Sequence, residues 1–203
     1  MVELFAVAII TTLAVISPGA DFALVTRNSL VHGRFAGLIA SLGIAAGVQL
    51  HVLYTMLGVG LILKESPQLF AMVKLVGAIY LVYLGYTTFM SRTSSSPSSV
   101  TDSGISPLQA FRTGFFTNAL NPKTTLFVVS VYTQVVQPTT PFAVQVGYGL
   151  FMSVAHWLWF SLVSLFFSED RLRTLVLAHQ VLLNRVIGVV LGFLGLSLAI
   201  SHP

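Results

Sequence analysis

Apolar residues in this chain follow neither the alternation of a strand nor the narrow stripe of a surface helix. They run unbroken for twenty or more positions, and the polar residues collect between the runs. From Thr124 to Ser168 there is no Asp, Glu, Lys or Arg at all, a stretch longer than the roughly 20 apolar residues that cross a bilayer as a helix. Six such runs fit the pattern: Leu4–Thr26, Phe35–Leu63, Gln68–Met90, Leu108–Val136, Phe142–Phe167 and Leu182–Ser201. Each is long enough to span a membrane with some tilt. They predict an all-α integral membrane protein of six transmembrane helices.

The separators differ in kind. Arg27 to Arg34 is a polar connection, Ser66-Pro67 a break, Gln137 to Pro141 an uncharged turn, and Ser168 to Arg173 a charged one. Between Ser91 and Ser106 lie eight serines with Pro97 and Gly104, the composition of a flexible linker. The chain therefore reads as one transmembrane domain over 1–203, with a first repeat at 1–91, a Ser-rich cytoplasmic linker at 92–106 and a second repeat at 107–203.

Composition agrees: 55% of the 203 residues are hydrophobic and 8% charged, against roughly a quarter charged in a soluble domain. That leaves no material for a folded extramembrane domain. The net charge of +4 reads as topology rather than as affinity for nucleic acid. Arg27, Arg34, Arg92, Arg112, Arg171, Arg173 and Arg185 cluster on the odd connections, whereas the other side offers Lys64 and Lys74. The positive-inside rule then makes the odd connections cytoplasmic and both termini external. Met1-Val2-Glu3 lacks the basic start of a cleavable signal, so the first run is kept as a mature span. Without cysteine there is no disulfide, thiolate nucleophile or Cys-bound metal.

Three spans per half is an odd number, so the halves enter the membrane from opposite sides and any likeness between them is an inverted repeat. Such a likeness exists. Ser17-Pro18-Gly19 in span one is answered 104 positions later by Asn121-Pro122-Lys123 in span four, and His51 is answered 105 later by His156. Lys74-Leu-Val-Gly77 is answered 111 later by Arg185-Val-Ile-Gly188, the drift fitting an insertion around Ser168 to Arg173. Ser or Asn before Pro is the signature of an N-cap followed by the first residue of a new helix. Spans one and four are thus expected to stop and restart near mid-membrane, presenting backbone N–H groups and a positive dipole end to an anion.

Asp21 and Lys123 follow these restarts within a turn. An ionised side chain deep in a bilayer costs on the order of 2.5–3.5 kcal/mol even on the lenient scale, so the two are paired, hydrated or functional, and a structural ion pair is the plain alternative. Gly43, Gly47, His51 and Tyr54/Thr55 form one small-residue face of span two, with Gln49 pointing elsewhere. Ser153, His156, Trp157, Phe160 and Ser164 form a comparable stripe in span five. Each His is either a packing residue or, with Asp21, a proton-coupling candidate. Arg27, Asn28, Arg34, Lys74, Arg112 and Arg185 read as anchors near span ends. Phosphate loops, zinc-binding helices and hydrolase elbows are absent from the sequence, so no cofactor is implied.

The sequence Ser17-Pro18-Gly19-Ala20-Asp21, with Asn118 and Asn121-Pro122-Lys123 opening the second half, resembles the LysE/Rht family of bacterial amino-acid exporters. The likeness runs over essentially the whole chain; where the family usually has a second Pro after the Gly, this chain has Ala20. The resemblance implies a multi-pass protein of the cytoplasmic (inner) membrane that exports small amino acids or derivatives, with protons as the driving partner. It implies a substrate site at Ser17, Pro18, Gly19, Asp21, Asn118, Asn121, Pro122 and Lys123: the substrate carboxylate against the restarting helices and Lys123, its ammonium near Asp21, Asn118 and Asn121. Lipid is the surrounding partner and nucleic acid is not one; a homo-oligomer and the identity of the amino acid stay open. Two other readings stand beside it. A divalent-metal exporter would use Asp21, His51 and His156 as ligands, and a membrane enzyme would need Ser17, His51 and Asp21 as a triad, although Ser17 is better explained as a cap.

Overall fold

In a computed structural model the described residues are 2–90, 105–137, 139–167, 179, 181–182, 184–193 and 195–196. Their regular elements are α-helices: α1 Val2–Ile16, α2 Ala20–Glu65, α3 Pro67–Met90, α4 Pro107–Ala119, α5 Pro122–Gln134 and α6 Phe142–Phe167, followed by α7, Asn184–Phe193. Ser91 to Gly104, Ser168 to Arg173 and His202, on which the linker, the charged turn and the C-terminal orientation rest, lie outside the described residues. Two helical stretches, Ala20–Gly58 and Phe142–Phe166, are long and apolar enough by themselves to cross a membrane.

The two expected breaks are present, but only the second has the expected cap: α2 starts at Ala20, so Pro18 is not its first residue, and Ser17 Oγ pairs with Thr88 and Lys123 Nζ rather than with a backbone N–H. Span one divides into α1 and α2 around Ser17-Pro18-Gly19, and span four into α4 and α5 around Leu120-Asn121. Proline has no N–H to lose at the first helical position, and the residue before it caps: Asn121 accepts from Lys123 N at 3.0 Å, as Ser106 does from Gln109 N at 3.2 Å at the start of α4.

The first separator is different from its expectation. Residues 27 to 32 are helical, and the turn between spans one and two is confined to Gly33, at φ 81 and ψ 167, a region open in practice only to glycine. The polar residues that mark a loop by hydropathy here serve packing: Ser29 donates to Val25 O at 2.7 Å and to Ser164 Oγ at 3.0 Å, and Asn28 is buried. Asn28 is therefore no interfacial anchor, whereas Arg27, Arg34, Arg112 and Arg185 are exposed.

Helices α2 and α4 touch backbone to backbone. A Cβ at Gly43 would overlap the Phe111 carbonyl, and one at Gly114 that of Ala40; small residues permit the approach that van der Waals packing rewards in lipid. α3 meets α7 likewise, Gly85 lying against Gly188 and Gly192. An apolar core joins Val7 and Ile10 of α1, Val48 and Val52 of α2, Leu81 of α3, Phe127 and Val131 of α5, Met152 of α6 and Leu191 of α7. The outer surface is apolar as well: Ile79 and Tyr83 on α3, Leu158 and Leu162 on α6 and Val189 and Phe193 on α7 are exposed. Such a coat suits hydrocarbon, not water.

Candidate substrate site

Asp21, in the first turn of α2 where the helix dipole favours a negative charge, is 6% exposed. Its Oδ2 accepts from Asn118 Nδ2 at 2.8 Å and from Asn121 Nδ2 at 3.2 Å. Its Oδ1 is buried and has no hydrogen-bond partner among the described residues. Asn118, the last polar residue of α4, also donates to Thr124 Oγ1 at 3.1 Å, so both its amide hydrogens are committed.

Lys123 reaches the other way. Its backbone opens α5, but its ammonium crosses to the carbonyl end of α1, donating to Ser17 O at 2.5 Å, Ser17 Oγ at 3.1 Å and Pro18 O at 3.4 Å. A cation at the carbonyl end of a helix is stabilised by the dipole and by the otherwise orphaned oxygens. An ammonium only donates, so Ser17 Oγ accepts from it, and the same oxygen shares a hydrogen bond with Thr88 Oγ1, 2.8 Å away. Asp21 and Lys123 thus stand close without bonding to each other, and the ion-pair alternative does not describe them. At the restart of α5 the Lys123 N–H is taken by the Asn121 cap.

The cavity between these groups has a volume of about 20 Å³, the space of roughly one water. Ser17, Gly19, Asp21, Asn121, Thr124 and Lys123 form its polar side; Ala14, Val15, Phe22, Phe127 and Phe160 form its apolar side, with His156. Of the residues expected at the site, Pro18, Asn118, Pro122 and His51 stay behind this wall. Gly19 is part of it because a Cβ there would stand 3.3 Å from Lys123 Cδ.

The two histidines have different surroundings. His51 Nε2 lies 2.8 Å from the Asn118 carbonyl; a carbonyl only accepts, so the proton is on Nε2, and Nδ1 faces the hydroxyls of Tyr54 at 2.5 Å and Thr125 at 3.3 Å. His51 therefore caps the end of α4 as Lys123 caps the end of α1, each from the other half of the chain. His156 Nδ1 lies 2.7 Å from the Met152 carbonyl, and its ring sits between Phe127 and Phe160, with centroids 6.2 Å from each. Asp21, His51 and His156 do not form a metal-ligand group among the described residues.

Of the rest of the face assigned to span two, Gly43, Gly47 and Thr55 are buried while Tyr54 is 40% exposed, and Gln49 turns instead to Gly149 O and Ser153 Oγ, at 2.9 and 2.6 Å. In span five Ser153, His156, Phe160 and Ser164 are buried, but Trp157 lies on the outer edge at 40% exposure. Sequence reasoning missed Thr124, Thr88, Phe22 and Phe127. Thr124 was within reach, three positions after Asn121 on the same helical face; Thr88 carries no local signal.

Fold and site together define an all-helical membrane protein with a charge-balanced cavity at two helix breaks. A family model described as LysE type translocator matches residues 12–202, and the chain belongs to that family. It is a membrane translocator, not an enzyme. It is 35% identical over 142 residues to the uncharacterized membrane protein YrhP of Bacillus subtilis, covering 66% of this chain and 68% of that one. It is 26% identical over 176 residues to the threonine efflux protein of Salmonella typhimurium, covering 85% of each. It is 30% identical over 127 residues to the leucine efflux protein of Salmonella choleraesuis, covering 63% of this chain and 60% of that one. No solved structure matches the chain.

Proposed function

We propose that this protein exports amino acids across the bacterial inner membrane, binding the zwitterion between Asp21 and Lys123. The observation that carries this reading is the pair of opposite, separately held charges on one buried cavity. Asp21 Oδ1 is the acceptor for the substrate ammonium, and Lys123 Nζ the donor for its carboxylate. The charges of zwitterion and site then cancel, which is what burial in low dielectric demands. An amino acid exceeds a 20 Å³ space, so the walls part to admit it. The likeness of 1–91 to 107–203 supports six spans in two inverted repeats, with access alternating as one repeat rocks against the other.

Export is driven by proton entry, for which about 2.3 kcal/mol per 100 mV is available. Asp21 exchanges its proton for the substrate ammonium, and His51 and His156 are the further coupling candidates. Purified protein in proteoliposomes tests this. Asp21→Asn, which keeps the shape and removes the charge, abolishes gradient-driven movement while leaving the protein folded. Adding Lys123→Met does not restore it, because the two are not each other's structural partner. Active, pH-responsive transport by Asp21→Asn alone would overturn the coupling role, and rescue by the double change would make the pair structural.

A further inference from the structure

We propose that the cavity opens toward the end of the bundle at Gly33, by the parting of a thin apolar floor made of Val25, Ile44, Phe160 and Val163, beyond which water stands at Asn28. This takes the cavity to be the transport site, as above, and adds the path that leads to it.

Apolar residues close the cavity on two sides, to unequal extent. Toward the start of α1 lies the large core that joins α1, α2, α3, α5, α6 and α7. In the other direction Val25 stands one turn beyond Asp21 on α2. With Ile44, Phe160 and Val163 it forms a separate cluster drawn, among the described residues, from α2 and α6, and Phe22 and Trp159 pack against it. Phe22 and Phe160 also line the cavity, so this cluster is its floor. The cost of opening a path to water scales with the apolar surface exposed, and the floor exposes far less than the large core would.

The stretch beyond the floor carries polar groups. Asp21, Val25, Asn28 and His32 share one face of α2, with Asn28 about 10 Å and His32 about 16 Å further along the axis than Asp21. Asn28 is 1% exposed, yet neither its Nδ2 nor the buried Nδ1 of His32 has a hydrogen-bond partner among the described residues. A buried amide that donates to nothing is costly, and water is the usual partner in such a place. The side chains that join α2 to α6 here do so through hydroxyls: Ser29 donates to Ser164 at 3.0 Å, Ser41 pairs with Ser161 at 3.1 Å, and Ser164 donates to Arg34 O at 2.9 Å. Bonds of this kind exchange for water at little cost. Contacts between methyl groups do not. The stretch ends at Gly33, where nothing lies within 4 Å of the place a side chain would take.

The chain has no cysteine, so single cysteines report access from water. Ser41 and Ser130 are both 0% exposed; the first lies one turn from Ile44 toward Gly33, the second next to Val131 of the large core. Asn28→Cys, Ser41→Cys, Ser130→Cys and the exposed marker Arg34→Cys are each treated with an impermeant cationic methanethiosulfonate, in intact cells and in inverted vesicles. Asn28→Cys and Ser41→Cys should be labelled from whichever face labels Arg34→Cys, and roughly 10-fold or more faster than Ser130→Cys from either face, because the open population sets the rate. Val25→Ala, which thins the floor, should speed the labelling of Ala14→Cys in the cavity wall from that same face. The proposal falls if neither Asn28→Cys nor Ser41→Cys reacts, if they react only from the other face or no faster than Ser130→Cys, or if Val25→Ala leaves Ala14→Cys unchanged. Should Asn28→Cys fail to fold, Ser41→Cys, which puts one sulfur in place of one oxygen, decides the matter. Labelling as expected in a protein that exchanges no amino acid in proteoliposomes would bring down the transport reading and leave this opening standing.

Discussion

A methyl group at position 47 would stand 2.8 Å from Asn118 Oδ1 and 2.9 Å from its Cβ, closer than side chains tolerate. Gly47 thereby holds the amide that Asn118 gives to Asp21, although Gly47 itself touches nothing in the cavity. Gly47→Ala should push Asn118 off the carboxylate and lower substrate exchange by about 10-fold or more, the worth of one hydrogen bond to a charged acceptor. Gly58→Ala, where nothing lies within 4 Å, should exchange at the unaltered rate and so serves as the comparison. Lys123 is a residue with two duties, opening α5 with its backbone and closing α1 with its ammonium. Lys123→Ala should therefore weaken binding far more than Pro122→Ala, which leaves the Asn121 cap in place; isothermal titration in detergent would register equal effects if the break were only a kink.

Helix boundaries were legible where their causes are local. Asn before Pro acts within one turn, so the second break could be placed with its cap from the residues alone; the first was placed at Ser17-Pro18-Gly19, but its cap was not, since α2 starts at Ala20. The glycine face of α2 followed from its four-residue spacing. Polarity misled between Arg27 and Arg34, because hydropathy scores Asn28, Ser29 and His32 as loop while the fold buries Asn28 and bonds Ser29 to Ser164, 135 positions away. Thr88 against Ser17 and Tyr80 against the Lys123 carbonyl are equally remote in sequence, and no local pattern encodes them. The turn at Gly33 shows how little chain a reversal needs. Gly33→Ala forces a side chain into φ 81 and should cost about 1–3 kcal/mol, read as a lower unfolding midpoint in detergent, while the open space around it excludes a clash as the cause.

Across the whole molecule, the arginines propose an orientation with both termini external. On that proposal a cysteine introduced as Ser98→Cys in this cysteine-free chain should resist an impermeant thiol reagent in intact cells and react in inverted vesicles, and His202→Cys should do the reverse. Labelling of position 98 from outside would invert the topology. The capping described at the two breaks has a separate outcome for how the chain is put together. Lys123 of the later part holds the Ser17 and Pro18 oxygens at the end of α1, and His51 of the earlier part adds to the Asn118 carbonyl, which Asn121 N also reaches. Each part supplies a polar partner to the other's cut helix. Produced as two separate polypeptides, cut within 92–104, the parts should be degraded when made singly and persist when made together, co-purifying through a tag on either one: a single gene product behaving as an obligate pair.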